Sequence, residues 1–212
     1  LIARSSELLA AQIDRFERLL EDLLEVSRFD AEVAVLEPVE FDVVALVSRC
    51  VKDFEIGEID TQSGIRIDSA EPVVQIQADI RRVERIMRNL LSNALDHADG
   101  QEVVVSIVAT ETEVGIGVRD HGSGLDESAL IRVFDRFWRA DPSRAQVRGG
   151  TGLGLSIALE DARLHNGELD AWGRPGKGAH FVLTLPRKAG ASIEGRPIKA
   201  APKDFHEENF YL

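Results

Sequence analysis

The chain has 212 residues, 44% of them hydrophobic and 29% charged, close to soluble globular averages and unlike disordered, collagenous or disulfide-framework chains. Against 25 basic residues stand 37 acidic ones, a formal net charge of −12, which argues against a general nucleic-acid or anionic-membrane surface and requires any anionic ligand to be held locally. The single cysteine, Cys50, cannot close an internal disulfide, which fits a reducing compartment, and no apolar run approaches the roughly 20 residues of a membrane-crossing helix.

From residue 1 to about residue 29 there is no Gly or Pro, and two rows repeat every seven residues. Ile2, Leu9, Phe16 and Leu23 form one, and Ser6, Ile13, Leu20 and Ser27 the other. This alternation is the seam of a coiled coil or bundle. Leu8, Leu19 and Leu24 widen the stripe, so the helix is expected to pack on helices outside this sequence or on another subunit, the alternative being a helix folded back on its own domain. The chain starts at Leu1 directly in this periodicity and reads as a piece of a longer protein.

After Pro38 the pattern changes. A helix is expected from Phe41-Asp42 to about Glu55, with Asp42 as N-cap. Residues 65–67 and 73–78 read as short strands, and Asp79 caps an amphipathic helix running to about His97. Residues 103–109 and 114–119 alternate as strands and can pair through the turn at Thr110 to Glu113. A short helix near 127–133, a helix over 151–165 and closing strands at 168–172 and 179–185 follow. Helices mixed with adjacent strand pairs predict an α+β two-layer sandwich. Beyond Pro186 periodicity ends, and Gly190, Gly195, Pro197 and Pro202 with scattered charge predict a flexible extension. Residues 193–196 read Ile-Glu-Gly-Arg, a protease-site pattern that leaves a vector-derived tail and a natural linker both open.

Several segments can carry chemistry. Asn89 and Asn93 lie four apart on one helix face beside Leu90, Leu91, Ala94 and Leu95; they fit either a solvated face or an amide-oxygen ligand for a Mg²⁺ ion that phosphates also hold. Asp120-His121-Gly122-Ser123-Gly124 follows a strand, and reads either as a plain turn or as a carboxylate accepting from an exocyclic amine such as adenine N6. Gly149-Gly150-Thr151-Gly152-Leu153-Gly154 opens a helix and can present backbone N–H groups to an anion, the bland reading being a structural hinge. Its spacing matches neither G-x-x-x-x-G-K-[ST] nor G-x-G-x-x-G, since Ile157 replaces the third glycine. Between the glycine clusters, residues 132–148 set five arginines (Arg132, Arg136, Arg139, Arg144 and Arg148) against Asp135 and Asp141. That reversal of sign suits a polyphosphate beneath a lid, or a solvated arginine loop.

In order along the chain, Asn89-x-x-x-Asn93, Asp120-x-Gly122-x-Gly124, Phe134-Asp135-Arg136-Phe137 and Gly150-x-Gly152-x-Gly154 resemble the N, G1, F and G2 boxes of sensor histidine kinases, over about residues 1–186. The run Phe181 to Pro186 is similar to that family's final strand. Residues 15–28 and 137–143 are most similar to an actinobacterial subgroup. The resemblance implies the Bergerat (GHKL) ATPase fold, an α/β sandwich, over residues 31–187. Before it, residues 1–30 would be the second helix of a dimerisation and phosphotransfer hairpin, part of a dimeric four-helix bundle, and residues 188–212 would be a flexible tail.

The same resemblance implies ATP and Mg²⁺ as cofactors. Asn93 would ligate the metal and Asn89 support the phosphates, Asp120 would read adenine in a pocket shaped by Gly122 and Gly124, and His97 would lie beside the nucleotide. Gly150, Thr151, Gly152, Leu153 and Gly154 would cradle phosphates under a lid anchored by Phe134 and Phe137, with Arg136 and Asn93 as the catalytic residues. Asp96 stands where the family often has Lys or Arg. None of the five histidines (His97, His121, His165, His180, His206) lies in residues 1–29, so the phospho-acceptor is expected upstream. The implied partners are a second copy through the bundle and a cognate response regulator, with no nucleic acid and membrane attachment only through upstream segments. The implied activity is transfer of the ATP γ-phosphoryl to a histidine and thence to a regulator aspartate, by the cytoplasmic part of a membrane sensor. The other reading is a nucleotide-gated binding module without catalysis.

Overall fold

The computed structural model describes residues 13, 16–17, 19–29, 31, 34–57, 64–140 and 151–202. The upstream part of the seam, residues 141–150 of the expected lid with Gly149 and Gly150, and residues 203–212 lie outside the described residues. In chain order come helix α1 (residues 19–29), strand β1 (Val39–Asp42), helix α2 (Val43–Gly57), strands β2 (Ile65–Ser69) and β3 (Gln75–Ala78), helix α3 (Ile80–His97), strands β4 (Val103–Ala109) and β5 (Glu113–Arg119), helices α4 (Glu127–Arg132) and α5 (Gly154–Leu164), and strands β6 (Glu168–Gly173) and β7 (Ala179–Pro186).

Five strands form one sheet in the order β2-β4-β5-β7-β6, with β2 and β4 parallel and the other neighbours antiparallel. The expected hairpin of β4 and β5 is present, and its turn closes through the Thr110 N–H bond to the Glu113 carbonyl at 2.8 Å. The sequence reading missed β1, which pairs antiparallel with β3 apart from the main sheet. Phe41 and Asp42 therefore end a strand rather than begin a helix. Asp42 still acts at the helix start, because its Oδ1 accepts the N–H of Val44 at 3.0 Å and also that of Val74 at 2.9 Å. One short carboxylate thus caps α2 and ties its entry to the neighbouring loop.

Helix α3 forms because a capped start meets a 3–4 apolar repeat. Asp79 Oδ1 accepts the N–H groups of Arg81 at 3.1 Å and Arg82 at 3.3 Å, while Val83, Ile86, Met87, Leu90, Leu91, Ala94 and Leu95 fall on one buried face. That face meets the inner side of the sheet, where Val105, Ile107, Val114, Ile116, Val118, Phe181, Leu183 and Leu185 alternate inward. Each fully buried Leu or Ile contributes about 1.5–3 kcal/mol of transfer free energy, so this layer dominates the fold. Cys50 is in the same core, and burial pushes its thiol up to about 11.

The segment expected to be a flexible extension differs from that expectation over residues 188–202, which fold back onto the other side of the sheet. The Glu194 N–H donates to Glu113 Oε1 at 2.9 Å, Arg196 pairs with Glu168, and the Ala200 carbonyl accepts from His180 Nδ1 at 2.8 Å.

Helices α3 and α5 are pinned by a carboxylate that no solvent reaches. Asp161 of α5 is 0% exposed; it takes Arg82 NH1 at 2.8 Å and a two-pronged contact from Arg85, Nε and NH2 at 2.8 and 2.9 Å. Glu25 of α1 joins at 2.9 Å from Arg85 and 3.6 Å from Arg82, and the Arg82 guanidinium lies 5.8 Å from the Phe29 ring centroid. Burial pushes the Glu25 carboxyl up, but Arg85, Arg28 and Arg82 pull it further the other way, so its pKa is lowered overall. Its stabilising contribution is therefore present above the ordinary carboxylate range and lost as pH falls through the depressed value. Asp161→Asn leaves two guanidinium groups without their shared anion and should cost about 3–5 kcal/mol of unfolding free energy in urea titrations; a cost below about 1 kcal/mol would show that Glu25 alone suffices to hold them.

Candidate functional site

Three loops and one helix converge at one end of the sandwich. Helix α3 runs toward it, so Asn89, Asn93 and His97 follow one another at four-residue spacing, all half-buried. Opposite them α5 begins at Gly154. A Cβ on Gly154 would lie 3.0 Å from Asn89 Oδ1, so the absence of a side chain there is what lets the asparagine approach the helix start. No side chain among the described residues caps α5 by a hydrogen bond. Its first N–H groups, at the positive end of the helix dipole, are arranged to meet an anion.

The glycine loop is shaped by backbone contacts. Gly152 has φ +73°, and a Cβ there would sit 3.0 Å from the backbone of Phe137, whose own φ is +62° and whose N–H donates to the Gly152 carbonyl at 2.8 Å. Leu153 is fully buried. The Thr151 hydroxyl accepts from the Leu153 N–H at 3.2 Å and donates to Asp22 Oδ2 of α1 at 2.8 Å. Gly150 lies outside the described residues.

The two phenylalanines expected to anchor the lid differ. Phe134 packs edge-on against Phe181, with ring centroids 6.3 Å apart at 83°, and so is fastened to the core. Phe137 is 60% exposed, and its backbone N–H is bonded to the Gly152 carbonyl. Arg136 between them is exposed.

Asp120 directly follows β5 and is 1% exposed. Gly122 N–H reaches its Oδ1 at 3.1 Å and Ala179 N–H reaches both oxygens at 3.2 Å. Burial pushes its carboxyl above the usual range, and the N–H groups of Gly122 and Ala179, with the charges of Arg119 and His97, offset only part of that. The turn after it needs glycine. A Cβ on Gly122 would fall 1.6 Å from the His97 carbonyl oxygen, and one on Gly124, at φ +73°, 1.9 Å from that of Arg174. The G1 turn is thereby pressed onto the end of the asparagine-bearing helix. A buried carboxylate whose backbone donors leave acceptor capacity suits a ligand N–H, and an uncapped helix start with an amide oxygen beside it suits phosphates. The residues present fit a purine nucleotide.

Sequence reasoning did not find Arg82, Arg85 and Asp161, which hold the two site helices together. The available signal was an acid at position 161 inside the buried row of α5, beside Ile157, Ala158 and Ala162. It also missed the Thr151 contact to Asp22, which no local spacing encodes.

Comparison with known proteins agrees with this fold. Residues 78–189 match the family described as Histidine kinase-, DNA gyrase B-, and HSP90-like ATPase, and the chain belongs to that family. Within it the chain groups with the sensor histidine kinases. It is 46% identical over 203 residues to Sensor histidine kinase MtrB of Mycobacterium leprae, a match covering 95% of this chain and 36% of that protein. The chain thus spans just over a third of the length of that curated relative. Among solved structures, full-length ShkA in complex with AMPPNP superposes with a TM-score of 0.76 at 26% identity, over 93% of this chain and 41% of that one. Histidine kinase ThkA in complex with the response regulator protein TrrA superposes with a TM-score of 0.67 at 22% identity, over 85% of this chain and 49% of that one, a likeness of fold.

Asp120 is a group whose folded pKa is raised, so its protonated form favours folding, an advantage complete below the ordinary carboxylate pKa and lost as pH rises through the raised value. Asp120→Asn retains an oxygen for Gly122 and Ala179 and carries no charge at any pH. Calorimetric melting at neutral pH should show the variant at least as stable as wild type, with any gain shrinking as pH falls toward about 4; a melting temperature several degrees lower would mean that the charge itself is needed for the turn.

Proposed function

We propose that this chain is the ATP-binding catalytic part of a sensor histidine kinase, using Mg²⁺·ATP to phosphorylate a histidine that lies outside this sequence, from which a response-regulator aspartate receives the group. The observation that carries this reading is the placement of Asn89 Oδ1 beside Gly154 at an uncapped helix start, with the buried Asp120 carboxylate across the His97 end of the same helix. The AMPPNP complex of ShkA and the regulator complex of ThkA support it.

Asp120 accepts the exocyclic amine of adenine, Gly122 and Gly124 leave room for the base, and His97 lies beside it. The backbone of Thr151, Gly152, Leu153 and Gly154 presents N–H groups to the phosphates, with Asn89 as a polar support. Phe134 fixes one end of the lid and Phe137 lies toward the opening, and Arg136 offsets charge on the transferring group. The bound nucleotide supplies the γ-phosphoryl group, whose negative charge Mg²⁺ helps neutralise. Among the described residues no group of three or more His, Cys, Asp or Glu could hold a metal. One amide oxygen from Asn93 fits Mg²⁺, which takes most of its ligands from water and phosphate.

The exposed apolar residues Ile13, Phe16, Leu20, Leu23 and Leu24 support a helical bundle with a second copy. No helix among the described residues is long and apolar enough to cross a membrane; the reading places this portion on the cytoplasmic side of a membrane sensor. Catalysis is favoured over a nucleotide-gated module because the metal, adenine and phosphate positions all carry the residue types that the chemistry needs.

Titration calorimetry should show Asn93→Ala losing most of the Mg²⁺ dependence of ATP binding, and an undiminished dependence would remove its metal role. Asp120→Asn should lower ATP affinity about tenfold or more, the cost of a hydrogen bond to a charged group. Because phosphoryl transfer needs an acceptor positioned in line, a factor of up to about 7–11 kcal/mol, the 212-residue chain should bind ATP without labelling itself. Supplying the first hairpin helix, in cis or as a separate chain, should produce acid-labile ³²P on a histidine of that helix. Robust labelling of the chain alone defeats this account, and no labelling after the helix is restored favours the nucleotide-gated module.

A further inference from the structure

One side of the five-stranded sheet faces the helices. The other side carries Glu113, Gly115, Gly117 and Arg119 of β5, their partners Pro186, Thr184, Val182 and His180 of β7, and Glu168 and Asp170 of β6. In an α/β sandwich of two layers this outer side meets water, yet Val182 and Thr184 are 0% exposed. Residues 188–202 cover them.

The covering segment is fastened along its length. At the start, Asn166 Nδ2 donates to the carbonyls of Gly190 and Ala191, each at 3.3 Å. Glu113, 3% exposed, receives the Thr110 and Thr112 hydroxyls at 2.8 and 2.7 Å and the Glu194 N–H at 2.9 Å. Arg196 then pairs with Glu168 and lies 3.5 Å from Asp170. A Cβ on Gly115 would be 3.1 Å from the Ile198 side chain and 3.3 Å from that of Pro197, and one on Gly117 would be 2.5 Å from His180 Nε2. Two glycines at alternate positions of a central strand weaken it unless something needs the space, and here Pro197, Ile198 and the His180 ring occupy it. The segment runs along β5 toward its Asp120 end, where the Ala200 carbonyl takes the His180 Nδ1–H.

That end is the underside of the adenine site. His180 lies opposite Arg119 in the β5–β7 register, and its neighbour Ala179 donates to both oxygens of Asp120 while accepting the Asp120 N–H at 3.0 Å. Arg119 stacks 5.1 Å from the Trp172 ring and donates to the carbonyls of Asp120 and Lys177. Holding His180 from below therefore fixes the peptide that orients the Asp120 carboxylate.

We propose that residues 188–202 are a strap belonging to the nucleotide-binding unit, and that His180, anchored by Ala200, is a positioning residue that sets adenine specificity through Ala179 and Asp120. This rests on the assignment of Asp120 to the adenine amine. Strap contacts that merely stabilise the domain would change affinity for every nucleotide alike, whereas positioning of Asp120 changes only the part contributed by the exocyclic amine.

The test compares ATP with purine riboside triphosphate, which lacks that amine, by titration calorimetry with Mg²⁺. It uses the full chain, a chain ending at Arg187, and the full-length double variant Arg196→Glu with Ile198→Asp. The full chain should prefer ATP by about tenfold or more, as expected for one hydrogen bond to a charged acceptor. Both altered chains, checked as folded by circular dichroism, should drop to about twofold preference or less. A synthetic peptide of residues 188–202 should restore the preference of the shortened chain. Should that chain fail to fold, the double variant decides by the same ratio. A full chain with clear preference and altered chains that keep it overturn the strap and leave the adenine assignment standing, while a full chain without preference overturns that assignment and the strap together.

Discussion

The meeting of the two helices that border the candidate site depends on two guanidinium groups meeting one buried carboxylate. Asp161 has no exposed surface, and an unpaired carboxylate in that position would cost several kcal/mol in lost hydration. It is tolerated because Arg82 and Arg85 deliver three charge-assisted hydrogen bonds from the adjoining helix. The arrangement is directional in a way apolar packing is not. Apolar packing of α3 on α5 carries no alignment of charge with charge, whereas the two-pronged Arg85 contact sets Arg85 directly opposite Asp161. The same helix pairing sets Asn89 beside Gly154 at the start of α5.

A second constraint is close approach of backbone to backbone. Gly122 against the His97 carbonyl, Gly124 against Arg174 and Gly152 against Phe137 each leave less room than a methyl group needs. These contacts bring the turn after Asp120, the Phe137 segment and the glycine loop onto a common rim without side chains intervening. Asp120 is then placed where burial works against its charge. Such a residue lowers the stability of the empty protein and is retained where a ligand N–H restores what hydration would have supplied. Stability and binding therefore make opposite demands at position 120.

Much of this was legible in the sequence because the signals were local. Asp79 followed by a 3–4 apolar repeat gave α3 to within a residue, the alternation in residues 103–109 and 114–119 gave the central hairpin, and the ordered boxes identified the ATPase fold. The misses were contacts made across long separations. Strand β1 is four residues long with two of them exposed, too short to show an alternation. The Asp161 cluster joins positions 25, 82, 85 and 161. The strap reads as a tail because its own composition is that of a loop; its signature lies about 80 residues earlier, in Gly115 and Gly117, where a strand surrenders two side chains to whatever covers it.

Helix α1 meets the ATPase domain through one group that serves a single acceptor, the Thr151 hydroxyl, and one that serves two, the Arg85 guanidinium. A threonine hydroxyl has one proton to donate, and Thr151 gives it to Asp22 of α1 at 2.8 Å while its oxygen accepts from Leu153. In the proposed nucleotide site, a phosphate oxygen would receive that proton only when Asp22 releases it. Three residues further along the same helix, Glu25 leans on Arg85, which holds Asp161 and through it the start of the phosphate-facing helix. On the proposed function, docking of α1 and occupation of the loop are linked through the Thr151 proton, while Arg85 ties α1 to α5. Linkage of this kind is reciprocal: whatever free energy a nucleotide loses in displacing Asp22 is the free energy by which it loosens α1. The seam residues of that helix, Phe16, Leu20, Leu23 and Leu24, are exposed on its remaining surface, so a change in how α1 sits on the ATPase domain also moves the surface proposed to form the bundle.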